Sequence, residues 1–438
     1  MRRATSKPRL AMANLAVLLV ALAGFPAGQP VDAASVNSLN LRATYDVDAS
    51  FSWASRAVSV RTAIDLYNPT AGSVSTVAFN LATLRIGNNG GGANVGVVTV
   101  NGSAVSETID DQTVLVPFSP SLSAGGSADV VINYTSKLSS SSAGDYWSFA
   151  RLKGVMTAYR WIPWLSRTTR FNRPSVGEPW VTPSSTYVRV AITTDRTLKI
   201  ASSGQRISVN GLTQVFVARN VRDFNFSAAP DYRTASRTTR GTRITFFYRT
   251  MSPSKVLGWA VKAFNSYSNK VGAYPYAQLN IAEIGPWASI ESPSLFWLER
   301  GVKSRLLPWT VTHEVAHQWF YSVVGNDQSQ EPFADEAVAD FMARNLVKRW
   351  VNSPCAQDDL DQSIYDLGSC YPWVIYVQGN LYLRAYYNHV GAADFWQGLR
   401  NYYAANRFRI GGTRELLDSL DAAAGINYPH YQRFPSMY

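Results

Sequence analysis

His313, Glu314 and His317 stand within the run His-Glu-Val-Ala-His, and Glu336 follows after eighteen further residues. The chain of 438 residues has only 4 histidines, so two of them four apart make a concentrated signal. On a helix, positions i and i+4 share a face, and both imidazoles can then reach one metal ion. Glu314, one step round from His313, is placed to polarise a water on that metal instead of ligating it. Glu336 adds a carboxylate. Two His and one Glu with an open fourth position compose a catalytic zinc site, not a closed structural one. The plain alternative is an exposed helix carrying two incidental histidines. Against it stands the apolar run around the pentad, where an uncoordinated His–Glu pair is costly to bury.

The elements that must position these groups are legible nearby. Pro308 suits a first helical turn, where its missing N–H costs nothing. Trp309, Val311, Val315, Ala316, Trp319, Phe320 and Val323 supply a helical apolar body, and Gly325 a stop signal. The segment from Pro332 to Phe341 also has a helical pattern, and a second helix packed on the first would carry Glu336 to the open side of the two imidazoles. Asp340, one turn further on, is a candidate to accept the outer N–H of a liganding His.

Residues 1–33 have the form of a secretory signal. Arg2, Arg3, Lys7 and Arg9 precede an apolar stretch from Leu10 to Phe25, which Pro26, Gly28 and Pro30 end. At about 16 residues that stretch is short of the roughly 20 needed to span a bilayer. The expectation is therefore cleavage, export and no stable membrane span afterwards. The net charge of +11 falls to about +8 on such cleavage. It is scattered, mostly as Arg, without the basic tract that nucleic-acid binding calls for. Cys355 and Cys370 are the only cysteines. In an oxidising compartment two cysteines alone usually pair, and the expectation is a disulfide.

Length favours more than one domain. From residue 38 to about 250 the pattern is strand-like. Val188, Val190 and Ile192 alternate with Arg189 and Ala191, and turn signals such as Asn101-Gly102 and Asn210-Gly211 punctuate the run. From 251 to 438 helices dominate, apart from a short strand-like insertion at Leu279 to Ile284. The predicted fold class is α+β and multidomain: a mostly antiparallel β domain, then an α-rich catalytic domain.

With the pentad and Glu336 in hand, the chain resembles the aminopeptidase N family of zinc metallopeptidases, in a short form lacking that family's large C-terminal helical domain. Further segments carry the resemblance in order: Val221-Arg222-Asp223-Phe224, Tyr274-Pro275-Tyr276, Ala288-Ser289-Ile290-Glu291-Ser292 and Tyr376-Val377-Gln378-Gly379, with Tyr371 just before the last. The first is similar to a strand of the family. The third stands where the family has its exopeptidase motif, and the fourth where it has its catalytic tyrosine. Departures are Ile290 and Ser292 in the exopeptidase motif, Asp335 and Ala337 flanking Glu336, and Gln378 in place of Lys.

The resemblance implies a thermolysin-like catalytic domain with one zinc ion on His313, His317 and Glu336. It implies a zinc-bound water activated by Glu314, and Tyr376 as donor to the oxyanion. Peptide would be bound through Glu291 at its α-ammonium, backbone groups of Ala288 and Ser289, and Tyr371. A zinc endopeptidase, a narrow-specificity hydrolase on the same site, and a catalytically silent binding protein remain alternatives. Unlike the silent protein, an enzyme needs the general base that Glu314 provides. His389 and His430 have no metal-compatible neighbours.

Overall fold

The computed structural model describes residues 37–167 and 181–438; the expected signal segment lies outside them. Strand alternation in the first half has the consequence expected of it. Arg42–Phe51 and Ala57–Tyr67 bury every second residue along most of their length, so each puts one face on a core and one in solvent. They are central in an eight-stranded sheet ordered Gln205–Asn210, Thr213–Ala218, Val188–Thr194, Arg42–Phe51, Ala57–Tyr67, Ser127–Lys137, Asn94–Val100 and Ser103–Val105. Its pairings are antiparallel except that of Arg42–Phe51 with Val188–Thr194. Two four-stranded sheets share its hydrophobic core, which contains Val47 and Ile132 of the large sheet together with Val77, Phe79 and Val116.

The second half contains more sheet than the sequence suggested. Gln278–Ile284 is the middle strand of a five-stranded mixed sheet, ordered Arg233–Thr239, Thr242–Tyr248, Gln278–Ile284, Leu295–Glu299 and Ile290–Ser292. The hairpin from Arg233 to Tyr248 precedes the expected boundary near residue 250, yet it belongs to this sheet. Packing is the reason. Ile244 and Phe246 face a core shared with Val256, Ala260 and Phe264 of the helix Pro253–Lys270, whereas the earlier core ends at Ala228.

The helix bearing the pentad is also shorter than its apolar pattern predicts. It runs Leu307–Ala316, with His317 as its C-cap. Trp319, Phe320 and Val323 are fully buried in the turns beyond, so their apolarity serves a compact loop and not a helix face. That loop closes on itself through Ser322 N–H to the His317 carbonyl (2.9 Å) and Val324 N–H to the Trp319 carbonyl (2.9 Å). Tyr321, at φ 122°, turns the backbone out of the helical region.

The segment Val221-Arg222-Asp223-Phe224 makes a single bridge, from Val221 to Ser185, and bends at Arg222; it is not a full strand. Its Arg222 is 2% exposed and donates to the carbonyls of Thr182, Val323 and Arg409, joining the β half to two loops of the helical half. Gly325 lets this happen: a Cβ there would collide with the guanidinium.

Glu336–Val347 forms the helix expected for the third ligand, preceded by a short 3-10 turn at Pro332–Ala334. Cys355 and Cys370 are joined, with Cα atoms 6.0 Å apart. No helix among the described residues is long and apolar enough to cross a membrane. Closing a loop of this size restricts the unfolded chain by about 3 kcal/mol in the entropy model. The paired change Cys355→Ser with Cys370→Ser should lower unfolding free energy by roughly that amount. Denaturant unfolding of both proteins checks it, and non-reducing peptide mapping should recover the linked pair.

Candidate active site

Two helices meet at the pentad. His313 and Glu314 project from Leu307–Ala316, His317 from its cap, and Glu336 from the first residue of the adjoining helix. All four are buried, at 5, 5, 1 and 3% exposure in that order. The Nε2 atoms of His313 and His317 lie 3.0 Å apart, and Glu336 Oε2 is 3.1 Å from the first and 3.3 Å from the second. Atoms bound to a tetrahedral zinc at about 2.0–2.2 Å stand roughly 3.3–3.6 Å from one another, so this triangle is close to the size such an ion requires. Among the described residues, Glu336 Oε2 makes no well-formed hydrogen bond, and neither does Glu314 Oε2. A buried Glu314 oxygen without a hydrogen-bond partner, beside a Glu336 oxygen and two imidazole nitrogens that converge on one point, fits a divalent cation.

The electrostatics agree. Burial pushes the Glu314 carboxyl well above its usual range, and Glu291, Glu336 and Asp335 add to the shift while His317 opposes it. Burial acts to lower the His317 imidazole, but Asp335 and Glu336 outweigh it and hold the ring well above its ordinary value. Burial pushes Asp335 up to about 6, against the pull of His317. Glu336, despite burial, is held well below the carboxylate range by His317 and His313.

Orientation of the ligands departs from the sequence expectation in one respect. Asp340 does not bond the outer nitrogen of His313; its Oδ1 is 3.9 Å from Nδ1. Its carboxylate instead accepts from Trp309 Nε1 (2.7 Å), Arg344 Nε (2.5 Å) and Asn380 Nδ2 (2.5 Å), which draws three helices together. The carboxylate that orients His317, a candidate ligand, is Asp335, whose Oδ1 accepts from His317 Nδ1 at 2.7 Å. Sequence reasoning noted Asp335 only as a departure from a motif, although its place directly before Glu336 was a usable signal.

Tyr376 lies on a π-helical stretch, Pro372–Gly379, and its ring stacks on His313 with centroids 5.6 Å apart and planes 22° off parallel. Tyr371 meets Tyr376 edge-on at 5.8 Å. Gly379 permits this approach, because a Cβ there would stand 2.6 Å from Ala337 Cβ on the Glu336 helix. Gln378 donates to Ser353 Oγ and to the carbonyls of Cys355 and Gln357, and accepts from Arg433. It thereby ties the disulfide loop and the C-terminal segment to the helix of Tyr376.

Glu291 sits on Ile290–Ser292, the edge strand of the five-stranded sheet, and is 2% exposed. An acid in a Ser/Pro-containing loop would ordinarily be solvated; here Gln318, next to His317, pulls the strand inward. Gln318 Nε2 donates to the Ser292 carbonyl (3.0 Å), and its Oε1 accepts from Ser294 N–H (3.0 Å). Ala288 and Ser289 lead into this strand, and Ser289 Oγ accepts from Glu299 N–H. Two groups from the β half complete the wall. Tyr159 O–H donates to the Glu291 carbonyl at 3.2 Å, and Arg160 donates to Gln328 Oε1 at 2.9 Å. No local pattern in the sequence marks Tyr159, Arg160 or Gln328, which lie far from the pentad or in an irregular turn.

No family model matches the sequence, and no curated protein matches it. Solved structures do. The M1 zinc metallopeptidase from Deinococcus radiodurans superposes with a TM-score of 0.65 at 16% identity, over 89% of this chain and 94% of that one. A mutant of the Deinococcus radiodurans enzyme bound to the substrate Tyr-Ser-Ala gives the same values. A mutant two-domain M1 zinc metallopeptidase bound to L-arginine also scores 0.65, at 16% identity and the same coverage. The chain therefore has the two-domain M1 metallopeptidase fold, β sheets followed by a helical region.

The triangle of donor atoms predicts one zinc per chain on metal analysis. His313→Ala, His317→Ala and Glu336→Ala should each lose it, whereas Glu314→Gln should retain it.

Proposed function

We propose that the protein is an exported zinc aminopeptidase that hydrolyses the first peptide bond of substrates with a free amino terminus. The observation that carries this reading is the convergence of His313, His317 and Glu336 on one point beside the buried Glu314 carboxylate. Zinc held there would supply Lewis acidity toward a carbonyl oxygen and toward water. Glu314 takes a proton from the attacking water and returns it to the leaving nitrogen. Tyr376 donates its O–H to the oxygen that becomes negative as the carbonyl turns tetrahedral.

Substrate is held by its own chemistry. Glu291, a buried carboxylate, pairs with the α-ammonium, and that pairing limits cleavage to the first residue. Ala288 and Ser289 offer backbone groups at the end of an edge strand, where an extended peptide can pair by strand addition. Tyr371, against Tyr376, contributes an aromatic wall. The fold neighbour that binds Tyr-Ser-Ala supports a peptide substrate. The disulfide supports export, since such bonds persist in oxidising compartments.

A zinc endopeptidase on the same site is the second reading. Ile290 and Ser292 favour it by departing from the exopeptidase motif. Aminoacyl reporter substrates, assayed with and without a zinc chelator, test the activity itself; Glu314→Gln should lose about two to four orders of magnitude in turnover.

The choice between exo- and endopeptidase rests on Glu291. Removing a charge-assisted hydrogen bond from a desolvated site costs about 1.5–3 kcal/mol, roughly ten- to hundredfold in kcat/KM. Glu291→Gln should impose that loss on free-amine peptides and spare N-acetylated ones. Internal cleavage of N-acetylated peptides by wild type, with no effect of Glu291→Gln, would favour the endopeptidase.

A further inference from the structure

We propose that Gln328 is a positioning residue that fixes Glu291 and His317 together, so that amine recognition and metal-ligand orientation depend on one side chain. The proposal rests on the zinc aminopeptidase reading above. Gln328 Nε2 donates to Glu291 Oε1 at 3.0 Å and to Asp335 Oδ2 at 2.9 Å. Asp335 passes the constraint on, since its other oxygen accepts from His317 Nδ1 at 2.7 Å. Gln328 Oε1 accepts from the Arg160 guanidinium at 2.9 Å.

A primary amide has two N–H donors and one carbonyl acceptor. In Gln328 the nitrogen meets two carboxylates and the oxygen meets a cation. The flipped amide would set its oxygen against both carboxylates and its N–H groups against guanidinium N–H, which forms no hydrogen bond on either side. Its neighbours therefore fix the orientation. Glu291 lies on the edge strand Ile290–Ser292, Asp335 directly before the helix Glu336–Val347, and Arg160 in the β half. Gln328 and Asp335 together make a hydrogen-bonded path from the amine-binding carboxylate to a metal-binding imidazole. Gln328 is 4% exposed, in a turn pinned by Ser329 N–H on Asp327 Oδ1 (3.1 Å) and Glu331 N–H on the Asp327 carbonyl (2.8 Å). Without its N–H groups, two buried carboxylates would face each other with no donor from this side chain between them. Both would then shift, and the His317 ring would follow Asp335.

Gln328→Met keeps chain length and removes the donors. With zinc alone as probe, competition against a chromophoric chelator should show its zinc Kd raised about 10- to 100-fold, as for loss of support behind a metal ligand. Preference for a free-amine dipeptide over its N-acetylated form should fall about tenfold in the same variant, as expected when a charged hydrogen bond is loosened. Should Gln328→Met fail to fold by circular dichroism, Gln328→Asn carries the test. Its amide is too short to span both carboxylates, and both readouts should move the same way by less. A folded variant with wild-type zinc affinity and wild-type preference overturns the proposal, and so does a change in one readout without the other. If wild type itself binds no zinc, the functional reading fails and this proposal with it. If wild type binds zinc and prefers free amines while the variants match it, the coupling alone fails.

Discussion

A concentration of buried carboxyl groups is the constraint on which this structure turns. Glu291, Glu314, Asp335, Glu336 and Asp340 are all 5% exposed or less, within the space of two helix ends and one strand. Burying one carboxylate without a partner is costly, and five neighbours compound the cost. The fold compensates three of them with its own groups. Asp340 has Arg344, Trp309 and Asn380; Asp335 has His317 and Gln328; Glu291 has Gln328. Two oxygens are left over, on Glu314 and Glu336, and both belong to the side chains that surround the converging imidazoles. Within this cluster the protein has satisfied the acids except where a metal and its water would satisfy them.

Holding that arrangement explains features that otherwise look unrelated. Each wall of the site comes from a different part of the chain, so each needs a tether. Gln318 fixes the edge strand to the cap of the pentad helix, and Asp340 joins that helix to the Glu336 helix and to the end of the π-helix. Arg222 fixes the β half to the loop after His317 and to the loop at Arg409. Glycine appears where a tether or a ring must come close, at Gly325 under Arg222 and Gly379 against Ala337. These tethers are polar and long-range, so they specify where elements sit more than they add to apolar burial.

Such long-range tethers also mark the limit of what the sequence disclosed. The pentad, its interval to Glu336, the strand alternation and the cysteine pair are local or nearly local patterns, and each follows from residue spacing. The pentad helix was overestimated because Trp319, Phe320 and Val323 keep a helical period while serving a buried turn; periodicity reports burial, not the backbone that achieves it. The strand Thr242–Tyr248 alternates like the strands before it, and only its pairing with Gln278–Ile284 assigns it to the later sheet. Helical phase makes Asp340 a candidate for the outer N–H of a liganding His, but its Oδ1 stands 3.9 Å from His313 Nδ1 and within reach of better donors. Arg160 and Gln328 carry no pattern at all, because their partners are supplied by the folded chain.

The same reasoning accounts for a site that stays coherent where its motif letters depart from the resembled pattern. Metal chemistry constrains a few donor atoms tightly, but the groups behind them need only present a donor or acceptor in the right place. Asp335, one such departure, is a charged acceptor for His317, and Gln328 supplies the N–H that a buried carboxylate needs on its far side. Gln378, another, is neutral and uses its amide to hold three acceptors of the 353–357 loop while accepting from Arg433. The polar departures Asp335, Gln378 and Ser292 thus each have hydrogen-bonding partners in this chain. A comparison of motifs position by position counts the altered letter as a loss, although the polar group it brings is fully used. A chain at 16% identity to others of its fold can therefore still close a triangle of two imidazoles and a carboxylate.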